Sequence, residues 1–74
     1  MMDGRIRVWR DMMERVQYDI RSDCYIVRYG WSDKGQPKTF LADPILATDI
    51  PTDHDLTGAI SVRRIACLKH RGIE

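Results

Sequence analysis

The stretch Cys24–Asp43, CYIVRYGWSDKGQPKTFLAD, restricts the fold of this chain more than any other. Ser32-Asp33-Lys34-Gly35 is a short polar loop whose glycine can take the positive φ that closes a tight turn. Aromatic and β-branched residues crowd both sides of it, which favours two paired strands. Placing Trp31 opposite Gln36 sets Tyr29 against Lys38, Val27 against Phe40 and Tyr25 against Ala42. Side chains alternate between the faces of a strand. Tyr25, Val27, Tyr29, Trp31, Phe40 and Ala42 therefore share one face, and Ile26, Arg28, Gly30, Thr39 and Leu41 the other. The ring-rich face is the expected core side, because each buried aromatic hides roughly 150–250 Å².

Residues 5–21 carry two patterns. Ile6, Trp9, Met13, Val16 and Ile20 recur at helical spacing, whereas Ile6, Val8, Met12, Val16, Tyr18 and Ile20 alternate with polar residues. Register favours strands. A two-residue turn at Ser22-Asp23 pairs Ile20 with Tyr25, Tyr18 with Val27 and Val16 with Tyr29, all on the core face already assigned. A loop at Asp11-Met12-Met13 then pairs Val8 with Val16 and sets Arg5 opposite Asp19. The result is a four-stranded antiparallel meander.

Pro44 and Pro51 cannot donate to a ladder, so residues 43–58 read as a connector, with Ile45, Leu46 and Ile50 tucked against the open end of the core. Residues 59–71 are again ambiguous. β-branched Ile60, Val62 and Ile65 favour a strand that closes the meander into a small SH3-like or Sm-like barrel, giving a mainly β fold. The alternative is an α+β fold in which a C-terminal helix over 55–71 covers the sheet. Acidic residues near its start, Lys69, His70 and Arg71 at its end and Gly72 beyond suit that helix, but it places Arg63 inside the apolar stripe.

A chain of 74 residues makes one small domain, which hides only about 60% of its unfolded surface and has little room for a deep catalytic cavity. Twelve basic residues nearly cancel eleven acidic ones, so no net field draws it to DNA or to a membrane. No apolar run approaches the roughly 20 residues of a membrane span. Asp3, Arg5 and Arg7 stand where a signal peptide needs an apolar stretch. Cys24 and Cys67 then read as free thiols of a cytoplasmic protein.

The meander leaves an outer face whose rows read Arg5–Asp19–Ile26–Leu41, Arg7–Gln17–Arg28–Thr39 and Trp9–Arg15–Gly30–Pro37. Guanidinium forks suit phosphate or carboxylate, and an indole offers a stacking plane. Small β-barrels that bind single strands combine such features. The candidate partner-binding residues are Arg5, Arg7, Trp9, Arg15 and Arg28, with Arg63 and Arg64 of the basic tail as an extension. The bland reading of the same face is a solvated sheet surface on which Arg5–Asp19 contributes little. A third use is a homo-oligomer seam through Trp9, Ile26 and Leu41.

Signals for chemistry are poor. Cys67 and His70 have C-x-x-H spacing, and Cys24 and His54 would complete four ligands, but structural zinc normally takes two tight pairs. Asp53-His54-Asp55 resembles an oriented base without a Ser or Cys nucleophile nearby. No phosphate-cradling glycine motif is present. Neither a metal nor a cofactor is expected.

Cys24 to Ile45 resembles the strand-turn-strand core of WYL-type ligand-sensing domains, with Thr39-Phe40-Leu41 and Asp43-Pro44-Ile45 in the place of a T-F-R-L-D-R-I run. The resemblance covers under a third of the chain. Cys24-Tyr25-Ile26 stands where the naming tripeptide would be, and Pro44 replaces the arginine after the aspartate. Membership and a nucleic-acid-sensing role do not carry over.

The sequence thus points to a non-enzymatic binding module whose basic, Trp-containing face meets an acidic partner, most simply nucleic acid. The alternative is a stand-alone adaptor or inhibitor that blocks a partner protein by occupying its surface.

Overall fold

Three strands run as an antiparallel meander: β1 (Met13–Asp19), β2 (Cys24–Asp33) and β3 (Gln36–Leu41). The structure, a computed structural model, describes residues 12–72. The strand expected between the Asp11-Met12-Met13 loop and the Ser22-Asp23 turn is present as far as Asp19, while the expected first strand, with Arg5, Arg7 and Trp9, lies outside the described residues. Met13, expected in a loop, is already in β1 opposite Gly30.

Both turns differ in length from expectation, and both leave the faces intact. Lys34 (φ 52°) and Gly35 (φ 81°) alone make the β2–β3 turn, with positive φ at both central positions as a tight hairpin requires. Trp31 then pairs with Lys38 and Tyr29 with Phe40. The β1–β2 turn spans residues 20–23, with Asp23 at φ 53°, so that Tyr18 pairs with Tyr25 and Val16 with Val27. Each register slides by two residues. With a side-chain period of two, the core residues of β2 and β3 stay on their face. Val16 and Tyr18 keep the face but are exposed there, and Ile20, expected opposite Tyr25, lies in the turn and is 81% exposed.

Beyond β3 the chain continues along the same edge of β2. Leu41 pairs with Arg28, and the two-residue β4 (Ile45–Leu46) pairs Ile45 with Tyr25. Three steps along β2 thus oppose four along its neighbour. The added residue is a bulge at Asp43-Pro44, placed where a proline cannot donate to the ladder. It reverses the phase of alternation, so Ala42 and Ile45 are both buried against the core. A single 3-10 turn, Ala47–Asp49, leads on toward the helix.

Residues expected to close a barrel form instead the helix α1 (Asp53–His70), and the sheet stays open. The mainly β barrel is thereby corrected to the α+β alternative. Capping outweighs the β-branched content of residues 60–65. Thr52 Oγ1 caps the helix by accepting the Asp55 backbone N–H at 3.2 Å, and its hydroxyl donates to the Asp55 carboxylate at 2.7 Å. Asp53 and Asp55 lie in the first turn, Lys69 and His70 in the last, and Gly72 takes φ 83° just past the end. The objection to the helix, Arg63 on its apolar stripe, resolves through the bulge. Arg63 Nε donates to the Asp43 carbonyl at 2.9 Å and Nη2 to the Pro44 carbonyl at 3.2 Å. Its alkyl stem lies along the stripe while its head satisfies two carbonyls near the bulge.

The core lies between the sheet and this helix. Val27, Tyr29 and Cys67 are fully buried, with Met12, Ala42 and Ile45 around them and Phe40, Leu56, Ile60 and Leu68 packed at the margin. The Cys67 thiol donates to Met12 Sδ at 3.6 Å, which ties the chain just before β1 to the helix. Among the described residues the helix covers one face of the sheet, and no element lies on the opposite face.

Candidate functional site

The uncovered face is built by odd positions of β1 and β3 and even positions of β2. Arg15 and Arg28 are direct cross-strand partners there, and Leu41 follows on the far side of Arg28. Gly30 lies between Met13 and Thr39 in the next row, and Gln17 opposite Ile26 in the row before. Two shallow depressions flank the arginine pair. Met13, Gly30 and Thr39 line one with the pair; Gln17 and Ile26 line the other.

Like charges directly opposite each other destabilise a sheet. Here both guanidiniums are exposed, and among the described residues no acidic side chain pairs with either; Arg15 Nη2 makes only a 3.5 Å contact to Met13 Sδ. Asp19, the acid of the expected outer row, is engaged elsewhere. Ser22 Oγ donates to its carboxylate at 2.5 Å, which holds the Asp19 carboxyl below its ordinary value. Apolar surface adjoins the pair: Met13 is 59% and Leu41 61% exposed.

Arg63 and Arg64 do not extend this face. Both sit on the sheet-facing side of α1, across the molecule from Arg15 and Arg28. Arg63 holds the bulge carbonyls, and Arg64 makes a two-pronged bond to Glu14 of β1, with Nε and Nη2 at 3.0 and 3.1 Å from its two carboxylate oxygens. That bond is the main cause raising the Arg64 pKa. The repeated basic residues of the tail thus divide between structural bonds and a separate cluster at the end of the helix. There the Arg71 guanidinium lies over the Trp31 ring at 4.8 Å, and His70 packs on Phe40 with ring centroids 4.9 Å apart. Trp31, Asp33, Lys38, His70 and Arg71 line one shallow hollow. Sequence reading missed this hollow, because only the helix brings residues 70–71 to the end of the hairpin.

The candidate ligand and base residues do not converge. Cys67 points into the core, where burial pushes its thiol upward in pKa. Cys24 is buried beside the β1–β2 turn, its thiol donating to the Ser22 carbonyl at 3.2 Å. His54 is exposed in the first turn of α1. Among the described residues no group of His, Cys, Asp or Glu is arranged to hold a metal ion, and no helix is long and apolar enough to cross a membrane.

Comparison with protein-family models, curated proteins and solved structures finds no match.

Proposed function

We propose that this chain is a non-enzymatic binding module that presents the Arg15/Arg28 face to an acidic partner, most simply single-stranded nucleic acid. The observation that carries this reading is the cross-strand arginine pair, which no acid among the described residues neutralises. A protein that places two guanidiniums side by side on an open sheet, without an acid between them, gives up stability that a bridging phosphate or carboxylate would restore. Arg5, Arg7 and Trp9 belong to the same proposal and lie outside the described residues. Both cysteines are free thiols, in keeping with the reducing cytoplasm where we place the module.

The second reading, a protein-binding adaptor or inhibitor acting by steric occupation, is favoured by the exposed Met13 and Leu41 beside the pair. Arginine set among exposed apolar side chains is typical of protein interfaces. One titration separates the two. Fluorescence anisotropy with a labelled single-stranded oligonucleotide at two salt concentrations should show a steep salt slope for nucleic acid. The Arg15→Ala plus Arg28→Ala variant should lose about 1.4 of that slope, at roughly 0.7 per phosphate contact. Absence of oligonucleotide binding at low salt would overturn the first reading and leave the second.

A further inference from the structure

The exterior of α1 carries a stripe that the fold does not use. Asp55, Gly58, Val62, Ile65 and Lys69 recur at spacings of three and four, with Ala66 beside them, so they run along one side of the helix. All are exposed, Val62 by 62% and Ile65 by 54%. Exposed β-branched residues are unfavourable helix formers, and so is Gly58, around which nothing lies within 4 Å of an added Cβ. A monomer gains nothing from this composition, whereas a second helix packed on it would.

We propose that the occupant is a second copy of this chain, with the two helices antiparallel about a two-fold axis at Val62. Charge decides the orientation. In an antiparallel pair centred there, Asp55 of each copy lies opposite Lys69 of the other, and Gly58 opposite Ala66, so small residues face each other where backbones come closest. A parallel pair would set Asp55 against Asp55 and Lys69 against Lys69. The Ile65 side chains of both copies flank Val62 on one side of the seam and the Ala66 side chains flank it on the other. An 18-residue helix is about 27 Å long. One such pair buries less than the standard interface of roughly 1,600 Å², so the dimer is weak and concentration-dependent. The seam is independent of the acidic-partner reading, since it lies on the far side of the molecule from Arg15 and Arg28. It would direct two basic faces outward from one assembly.

Sedimentation equilibrium of the full chain from about 10 to 500 μM tests the proposal, a range suited to weak interfaces. The expected result is a monomer–dimer equilibrium that Val62→Lys and Ile65→Lys each weaken at least about tenfold, with unchanged far-UV circular dichroism. Lys69→Gln should weaken it at low salt. A wild-type monomer at the highest concentration overturns the proposal. So does a dimer that survives both lysine variants, which would place the seam elsewhere. A monomeric wild type whose melting temperature falls on Val62→Lys would mean that the stripe is covered within one chain, and also overturns it.

Discussion

Arg64 on the helix grips Glu14 on the first strand with both prongs of its guanidinium, joining residues 50 positions apart. Glu14 lies opposite Tyr29 on the helix-covered side of the sheet, so the bond fixes where the C-terminal half of the helix sits over β1. Both side chains keep some solvent access, which limits the gain. Arg64→Ala should lower stability by about 1–2 kcal/mol. In a double-mutant cycle with Glu14→Gln, the coupling should be about 1 kcal/mol and fall with added salt. Urea denaturation of the four proteins measures it.

Arg63 makes a different kind of clamp, to backbone carbonyls and not to a charge. Arg63→Met keeps the stem that lies along the helix stripe and removes the donors to Asp43 and Pro44. The expected loss is about 1–2 kcal/mol, since charged donors to carbonyls near the bulge are lost. Arg63→Ala should cost more by the packing of the stem. Equal losses in the two variants would show that the stem contributes little beside the carbonyl bonds, whereas an unchanged stability of Arg63→Met would show that the carbonyl bonds contribute little.

The hairpin turn gives a sharper test of local geometry. Lys34 holds φ 52°, which lysine tolerates poorly, whereas Gly35 at φ 81° is the residue that position needs. Lys34→Asn should stabilise by about 0.5 kcal/mol, and Gly35→Ala should destabilise by about 1 kcal/mol or more. Thermal melts of both variants decide it.

These turns also show what the sequence could and could not tell. Alternation placed Val27, Tyr29 and Phe40 on the buried face, and that assignment survived because both register errors were even. Turn length was not legible: Ser32 and Asp33 look like loop residues but continue the strand. The helix was set second because β-branched Ile60, Val62 and Ile65 favoured a strand and Arg63 read as a charge in an apolar stripe. Its partners, the carbonyls of Asp43 and Pro44, exist only once the bulge has formed. Arg15 and Arg28 were assigned to the outer face from parity alone, but their direct opposition required the true register.

Alkaline pH should weaken the fold. Burial raises the Tyr29 hydroxyl above its ordinary value of 10.0, helped by the Glu14 charge, and burial raises the Cys67 thiol above 9.0. In the unfolded chain both groups lose their protons first. Above about pH 9 the native state therefore binds more protons than the unfolded state, and stability falls as pH rises. Below that pH the contribution is fully present. Urea midpoints should be flat from neutrality to about pH 8.5 and decline beyond it. Tyr29→Phe removes one of the two groups and should shallow the decline. It should cost only about 0.5–1 kcal/mol at neutral pH, because the hydroxyl donates to the Ile60 carbonyl at a long 3.4 Å.

The opposed arginines separate stability from function. If Arg15 and Arg28 repel across β1 and β2 in the free protein, then Arg28→Glu converts repulsion to attraction. The variant should be more stable than the wild type by about 0.2–1 kcal/mol. The same change places an acid where the partner's phosphate or carboxylate would sit, so binding should be lost. Arg28→Gln should relieve the repulsion with a smaller gain and retain weak binding through Arg15. Melting temperature and partner affinity measured on the three proteins should move in opposite directions. A variant that gains stability and keeps full affinity would show that the arginine pair is not the contact surface.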